Sequence, residues 1–377
     1  MNKITKEKYL RPTWAEVDLS AIEYNLKQLE KIIRNKAKIM VVLKADAYGH
    51  GAIEIAKRIK ECNMAYFGVA TISEAIELRR NKINIPILIL ENLAYCEISA
   101  LISYRITPTI AELNIAKCLN SKLSRLGRKM PVHIKIDTGM GRLGIWHKDA
   151  LSFIVELSKL KNIILEGVFT HFPSADADKE FTNAQIASFN KLIDELENEN
   201  IFIPLKHMAN SIAVVRHKNS HLNLVRPGLM IYGLYPDVKT KKIIKLKPVM
   251  SFKTKITYFK KVPAGRSISY GRTFITKKIS MIATLPVGYA DGYNRMLSNR
   301  ADVLIKGRRC PVVGRVCMDH IMVDVTGINA KLGDEVVLMG RQNDLEISAE
   351  EIANLCSTIS YEVVCWVSRR VPRKYIK

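Results

Sequence analysis

Residues 39–44 have the sequence Ile-Met-Val-Val-Leu-Lys, a short apolar run that ends at a lysine. Such a run is typical of a strand that is buried on both faces, as strands of parallel sheets are. Stretches with apolar residues at helical spacing, such as Ala52–Ile59 and Gln185–Leu196, separate this run from similar ones downstream. Eight runs alternating with helices predict an α/β fold with a (β/α)₈ barrel of the TIM type. The other runs span residues 66–70, 85–90, 106–110, 132–136, 163–170, 205–208 and 222–225.

After residue 240 the pattern of apolar residues changes. Between residues 250 and 258, Met250, Phe252, Ile256 and Tyr258 are separated by polar side chains, which predicts one strand with a single buried face. Further strands are predicted at 302–306, 321–325 and 335–339, and a capping box at 348–351 predicts a short helix. The sequence therefore predicts two domains, a barrel in residues 1–240 and a mostly β domain in residues 241–377, with the basic segment 239–247 as linker.

Charge and cysteine content exclude several classes of protein. Of the 377 residues, 59 are Lys or Arg and 36 are Asp or Glu, which gives a net charge of +23. The basic residues are scattered and aromatic residues make up only 7%, so the charge indicates a basic surface that favours anionic ligands rather than a nucleic-acid partner. The seven cysteines form no CxxC pair, which argues against a disulfide framework and a zinc site, and we expect no metal.

No apolar stretch is long enough to span a membrane, so we expect no membrane association. Residues 1–8 combine charges with no following apolar segment, which is unlike a secretory leader. Together with the unpaired cysteines, this predicts a cytoplasmic location.

Polar side chains follow several of the predicted barrel strands. Lys44, His171 and Arg226 each come directly after an apolar run, and Asn210 and Ser211 follow the seventh. The carboxyl ends of barrel strands face the active site, and the loops after strands seven and eight commonly bind phosphate. Each residue alone has a simpler interpretation, as a solvated lysine, a structural histidine or an arginine paired with a carboxylate. Their occurrence at the same end of the barrel favours a phosphate-bearing ligand that Lys44 reaches.

A lysine beside a phosphate site is typical of pyridoxal 5'-phosphate chemistry. A lysine near apolar walls has a lowered pKa, which allows its amine to attack an aldehyde. The cofactor then acts as an electron sink, while protein groups hold its ring nitrogen and its phosphate.

Residues 41–51, Val-Val-Leu-Lys-Ala-Asp-Ala-Tyr-Gly-His-Gly, resemble the pyridoxal-lysine motif of the alanine racemase family. Further motifs of that family follow in the family's order and cover nearly the whole chain after residue 10. They lie at residues 135–144, 170–172, 209–211, 226–228, 232–233, 269–272, 288–292, 314–319, 361–362 and 370–373.

The resemblance implies two catalytic bases on opposite faces of the substrate Cα. Lys44 is implied to hold the cofactor and to act on one face, and Tyr270 to act on the other. An ordinary tyrosine is protonated at neutral pH, and the family assists it through a hydrogen-bonded chain from His171 to Arg226. Arg226 is also implied to donate to the pyridine nitrogen of the cofactor.

The remaining site residues follow from the same resemblance. The phosphate ligands are implied to be Tyr48, Ser211, Tyr361 and the backbone N–H groups of Gly228 and Leu229, with Asn210 as a weaker candidate. Arg142, helped by the N–H of Met318, is implied to bind the substrate carboxylate, and Tyr289 to line the entrance. Lys135 matches a position that is carbamylated in some members, and a plain salt bridge is the alternative.

The function implied is that of an isomerase that interconverts L-alanine and D-alanine and supplies D-alanine for peptidoglycan. The family forms a head-to-tail homodimer in which each site borrows Tyr270 and Met318 from the partner. A racemase of the same fold with serine or a broader set of amino acids as substrate is the alternative.

Overall fold

The computed structural model describes residues 11–34, 36–62 and 64–377. Residues 1–8, on which the expectation about a leader rests, lie outside the described part, as does the start of the predicted barrel domain. No helix in the described residues has the length and apolar character needed to cross a bilayer.

The strands, numbered in chain order, are β1 Trp14–Asp18, β2 Lys38–Val42, β3 Tyr66–Val69, β4 Ile87–Asn92, β5 Thr107–Ile110, β6 Met130–Asp137, β7 Ile145–Trp146, β8 Ile163–Phe169, β9 Leu205–His207, β10 Leu224–Val225, β11 Met250–Lys255, β12 Tyr258–Val262, β13 Ser267–Ile268, β14 Phe274–Ile275, β15 Ser280–Leu285, β16 Asp302–Ile305, β17 Arg308–Pro311, β18 Ile321–Asp324, β19 Glu335–Gln342, β20 Leu345–Ile347 and β21 Arg373–Ile376. The α-helices are α1 Leu19–Ile33, α2 Ala52–Ile59, α3 Ile72–Arg80, α4 Ile98–Tyr104, α5 Leu113–Arg125, α6 Ala150–Ser158, α7 Lys179–Asn198, α8 Ser211–Arg216, α9 Val238–Ile243, α10 Ala349–Leu355 and α11 Ser360–Trp366.

Eight parallel strands form the barrel, in the spatial order β10, β2, β3, β4, β5, β6, β8, β9. A parallel bridge between Asn210 and Arg226, just beyond β9 and β10, joins the two ends of this sheet. Each strand coincides with one of the eight apolar runs, so the predicted barrel is confirmed.

The helices cover the barrel with their apolar faces. In α1, for example, Ile22, Leu26, Leu29 and Ile33 recur at helical spacing and are almost completely buried. Burying each such side chain stabilises the fold by about 1.5–3 kcal/mol. Because the strands and helices share one apolar core, the loops at the carboxyl ends of the strands are attached to a rigid frame.

The mostly β second unit is also confirmed, and it has its own apolar core. Its main sheet has the order β17, β16, β19, β11, β1, β21, and β12, β15 and β18 form a smaller antiparallel sheet. Half of the predicted capping box is present: the hydroxyl of Ser348 accepts the N–H of Glu351 at 3.1 Å before α10, whereas the carboxylate of Glu351 accepts from Arg309 instead of the N–H of Ser348. A second helix, α11, was not expected from the sequence.

The single strand predicted across residues 250–258 is wrong. The structure has two strands there, β11 and β12, which belong to different sheets. Between them the N–H of Ile256 donates to Asp334 and that of Thr257 to Thr284, so the backbone changes partners within two residues. Alternation of side chains continues through such a transfer, and the sequence pattern therefore does not reveal it.

Strand β1 precedes the barrel in sequence but lies in the sheet of the second unit, between β11 and β21. The division at residues 240 and 241 stays a prediction. The basic segment 239–247 is not a free tether, because the side chain of Asn25 donates to the carbonyl of Lys247 and accepts its N–H, both at 2.8 Å.

Candidate active site

A cavity of about 520 Å³ lies at the carboxyl ends of the barrel strands. Its size and position are those of a typical ligand site in this architecture. It is lined by most of the residues singled out from the sequence, namely Lys44, Tyr48, Lys135, Arg142, His171, Asn210, Ser211, Arg226, Gly228, Leu229 and Tyr361. The described residues contain no group of three or more potential metal-binding side chains.

Lys44 begins a left-handed turn after strand β2. The four residues that follow it, 45–48, all have φ between 52° and 54° although none is glycine. This conformation is unfavourable by about 1–2 kcal/mol per residue, so the surroundings must hold it. Glu74 does so by accepting the N–H of Ala45 at 2.6 Å and that of Ala70 at 2.8 Å, which links the turn to the end of β3. Glu74 also caps α3 by accepting the N–H of Thr71, and its link to the lysine turn was not predicted from the sequence.

Arg226 is buried beneath the cavity, and protein acceptors take both of its Nη atoms. Nη1 donates to Nδ1 and to the carbonyl of His207, both at 2.9 Å. Nη2 donates to the carbonyls of Thr170 and Met208 at 2.7 and 3.0 Å, and it lies 3.4 Å from Nδ1 of His171. Among the described residues Nε has no hydrogen-bond partner, so its N–H is available to a ligand in the cavity.

Burial and positive charge act together on the ionisable groups of the site. Burial lowers the pKa of Arg226 to about 9. Burial, followed by the charges of Arg226 and Lys135, lowers the pKa of His171 well below its ordinary value, so its imidazole is neutral at neutral pH. Lys135 is 4% exposed, and burial together with Arg226 and Arg142 lowers its pKa strongly.

Lys135 and Arg142 flank a loop that Asp137 organises. The carboxylate of Asp137 accepts the backbone N–H groups of Gly139, Met140 and Gly141 at 2.8–3.2 Å. Gly139 and Gly141 have φ of 134° and 69°, which the tight turn requires. No carboxylate in the described part of the chain forms an ion pair with Lys135, whose Nζ lies 4.6 Å from the ring centre of Phe169.

Hydroxyl groups gather at the opposite corner of the cavity. Ser211 accepts the N–H of Gly228 at 2.8 Å, and a Cβ atom at Gly228 would lie only 2.8 Å from the hydroxyl of Tyr48. Burial raises the pKa of Tyr48 and raises that of Tyr361 to about 12, so both hydroxyls keep their protons. The corner thus offers protonated donors to an anion. Asn210 lines the cavity as well, but its side chain caps α8 through the N–H of Ala213.

Three of the predicted site residues are not brought to this cavity. Tyr270, Met318 and Tyr289 lie on the second unit and are 71%, 52% and 43% exposed. Tyr270 lines a shallow surface depression with Cys317 and His320 instead. One chain therefore gathers the barrel part of the predicted site and leaves the other part on its surface.

Two family models match the chain: alanine racemase, N-terminal domain, over residues 17–236, and alanine racemase, C-terminal domain, over residues 249–375. The chain is 47% identical to the alanine racemase of Halothermothrix orenii, covering 97% of each chain, and 46% identical to that of Methanococcus maripaludis, covering 97% of this chain and 99% of the relative. The solved alanine racemase of Clostridium difficile has a TM-score of 0.92 at 42% identity, over 97% of this chain and 96% of its own. The solved alanine racemase of Bacillus anthracis has a TM-score of 0.92 at 36% identity, over 98% of this chain and 96% of its own.

Proposed function

The chain belongs to the alanine racemase family, and from this premise we propose that it is an isomerase that interconverts L-alanine and D-alanine with pyridoxal 5'-phosphate as cofactor. The observation that carries the proposal is the cavity itself. It combines an amine at Lys44, a single unpaired N–H at Arg226 and a corner of hydroxyl donors.

The donor set fits this cofactor. Lys44 would attach to the aldehyde, Nε of Arg226 would donate to the ring nitrogen, and Tyr48, Ser211 and Tyr361 would donate to the phosphate. The N–H groups of Gly228 and Leu229 would complete the phosphate site at the start of a 3₁₀ turn, where the N–H of Gly228 would exchange its acceptor Ser211 for the phosphate. When bound, pyridoxal phosphate supplies an electron sink for the negative charge that develops at the substrate Cα.

Racemisation needs one group that removes a proton from Cα and another that returns a proton to the opposite face. Lys44 would exchange the proton on the face that belongs to D-alanine, and Tyr270 of the partner subunit the proton on the face that belongs to L-alanine. His171 is held neutral and would serve as the link between that tyrosine and Arg226.

Arg226 determines how strongly the site stabilises charge at Cα. With a pKa of about 9 it keeps its proton at neutral pH, so it donates a hydrogen bond to the ring nitrogen without transferring a proton to it. Charge at Cα is therefore short-lived. Prompt return of a proton suits a racemase, because it leaves less time for side reactions.

Arg142 would bind the alanine carboxylate, since its planar fork matches two carboxylate oxygens, and the N–H of the partner's Met318 would add a third donor. The partner's Tyr289 would border the entrance. For Lys135 we propose carbamylation: its lowered pKa favours the unprotonated amine, which forms a bond to carbon dioxide and releases a proton to solvent. The resulting carbamate would place a negative charge near Arg142 and Arg226, the groups that lower the pKa of the free amine.

The proposal extends to assembly and role. The protein would be a cytoplasmic homodimer with shared active sites that supplies D-alanine for peptidoglycan. The exposed positions of Tyr270 and Met318 support the shared sites, because neither residue contributes to the cavity of its own chain.

The direct test follows the Cα proton of alanine in deuterated water, starting separately from each enantiomer. We expect exchange and inversion from both, and the same assay with serine tests for broader specificity. Reduction with borohydride should fix the cofactor to the peptide that contains Lys44. No exchange from either enantiomer by cofactor-loaded protein would refute the racemase, and label on Lys135 would refute the assignment of Lys44.

A further inference from the structure

A buried row of side chains runs from Arg226 into the barrel, away from the cavity. Arg226 Nη1 lies 2.9 Å from Nδ1 of His207, and Nε2 of His207 lies 2.9 Å from Nδ1 of His133. Nε2 of His133 lies 3.4 Å from Oε2 of Glu166, and the hydroxyl of Tyr66 donates to that same oxygen. The two histidines are completely buried, whereas the side chain of Glu166 is 28% exposed.

The arginine determines the direction of the hydrogen bonds that join Arg226, His207 and His133. An arginine only donates, so Nδ1 of His207 must accept. A neutral His207 then carries its proton on Nε2 and donates to Nδ1 of His133. His133 in turn carries its proton on Nε2, and the carboxylate oxygen of Glu166 is the acceptor that this N–H faces.

The ionisation of the three groups agrees with this direction. Burial lowers the pKa of both histidines, that of His207 strongly with the charge of Arg226 as the next cause, so each ring carries one proton. Burial opposes ionisation of Glu166, but the nearby His133 and the hydrogen bond from Tyr66 outweigh it and lower its pKa. Glu166 is therefore a carboxylate at neutral pH.

Packing prevents the two rings from turning to other partners. A Cβ atom at Gly167 would lie 2.3 Å from Nδ1 of His133, so only glycine leaves room for that ring. The ring of Phe169 is stacked on His207 with a centroid distance of 4.7 Å and an interplanar angle of 5°. With both rings fixed, a change of tautomer at one end of the row is passed to the other.

We propose that Glu166 is a positioning residue: its oxygen fixes the tautomers of His133 and His207, and through them it holds Arg226 with its Nε–H directed to the cavity. Among the described residues the N–H of His133 makes no hydrogen bond, and the oxygen of Glu166 at 3.4 Å is the acceptor it faces, so loss of that oxygen removes this acceptor. If His133 then moves its proton to Nδ1, His207 must move its own to Nδ1 as well, where it opposes the N–H of Arg226. The predicted effect on cofactor binding rests on the proposed function, whereas the predicted tautomers of the two histidines do not depend on it.

The first test is nitrogen-15 NMR of the full-length protein labelled at the histidine ring nitrogens. The signals of His133 and His207 are assigned by comparison with variants in which one of the two is replaced. We expect both rings to be neutral with the proton on Nε2. A proton on Nδ1 of either ring, or a doubly protonated ring at neutral pH, would overturn the proposal. This result is independent of whether pyridoxal phosphate binds.

The second test separates the oxygen of Glu166 from its charge. Glu166→Gln keeps an oxygen that accepts from both His133 and Tyr66, whereas Glu166→Leu removes it. Tyr66→Phe leaves the oxygen and removes one donor. We expect Glu166→Leu to shift the histidine tautomers and to weaken pyridoxal phosphate binding about tenfold, because one buried donor loses its partner. Glu166→Gln and Tyr66→Phe should keep the tautomers and stay within about twofold.

The control for the lost charge is Glu16→Gln, since Glu16 is a partly buried carboxylate paired with Lys253 in the other unit. The proposal would be overturned if Glu166→Gln and Glu166→Leu weakened pyridoxal phosphate binding equally. It would also be overturned if the histidine tautomers were unchanged in Glu166→Leu. If the wild-type protein itself binds no pyridoxal phosphate, the proposed function fails, and the NMR result alone decides the role of Glu166.

Discussion

The cavity at the barrel end and the surface around Tyr270 are built in opposite ways. In the barrel, Arg226 is buried and makes hydrogen bonds to four residues, and the turn after Lys44 is held by Glu74. On the second unit, Tyr270 exposes 71% of its surface on a short turn between two-residue strands. The barrel thus orients its polar groups within one chain, whereas Tyr270 lacks the surroundings that a catalytic group needs.

The surface around Tyr270 has residue types that are common in protein interfaces. Tyrosine and methionine are enriched in protein interfaces, and Tyr270, Tyr289 and Met318 are all at least 43% exposed. Under the proposed function, the two bases face one substrate when a second copy of the chain brings Tyr270 to the cavity.

The largest effect is expected from mixing two inactive variants. Lys44→Ala damages the barrel side and Tyr270→Phe the exposed side, so each alone should be inactive. Refolded together in equal amounts, they form about half mixed dimers, each with one intact and one doubly damaged site. About a quarter of wild-type activity should therefore return. A mixture that contains mixed dimers and stays inactive would contradict shared sites while leaving the chemistry of each base untouched.

Tyr270→Phe should affect the two faces of alanine unequally. Loss of a general base lowers the rate by about 10²–10⁴-fold, so proton exchange from L-alanine should fall by that factor. Exchange from D-alanine at the Lys44 face should partly survive. The measurement is deuterium incorporation at Cα in each enantiomer. An equal loss from both, with cofactor still bound, argues against the assignment of faces.

Arg142→Lys tests whether the barrel side alone binds the substrate carboxylate. Lysine keeps the charge but loses the two-point fork, so KM should rise about ten- to a hundredfold. Bound cofactor, followed by its absorbance, should persist. Arg341→Lys is the control, since Arg341 is exposed and pairs only with Glu346 among the described residues. Unchanged KM and kcat would remove Arg142 from the site.

The smallest effect concerns stability, and it again separates the two regions. His50, His133 and His207 are buried in the barrel, and burial lowers the pKa of each, that of His50 to about 4. Below the ordinary histidine pKa the unfolded chain binds protons that the folded chain does not, so stability is lost as pH falls. Between pH 7 and pH 5.5 we expect a loss of about 1 kcal/mol from His50, and further losses in the same direction from His133 and His207.

Denaturant unfolding at the two pH values measures this loss. The exposed His320 of the second unit provides the control, because His320→Gln should leave the loss unchanged. His50→Asn should reduce it by about 1 kcal/mol. A barrel whose stability does not change over this range would contradict the burial of neutral histidines.

The sequence predicted the barrel because its strands are short apolar runs in which burial on both faces leaves a clear signal. It did not predict the transfer between β11 and β12, since alternation survives a change of sheet. Lys44 and Arg226 stood out because each directly follows an apolar run. The roles of Glu74 and Glu166 could not be predicted, because each depends on which side chain lies opposite in space. His133, Lys135 and Asp137 alternate within the otherwise apolar β6, a signal of inward-facing polar residues that went unused.

Strand β1 between β11 and β21 has a consequence for the order in which the protein forms. Its partners Arg373–Ile376 are made long after residues 14–18, when the entire barrel has already left the ribosome. The barrel closes without β21, whereas β1 can pair on both sides in the second sheet only after residues 373–376 have been made. Contacts of such sequence separation form slowly, because a long loop must close first. The barrel should therefore fold before the surface that carries Tyr270, and active sites would arise last.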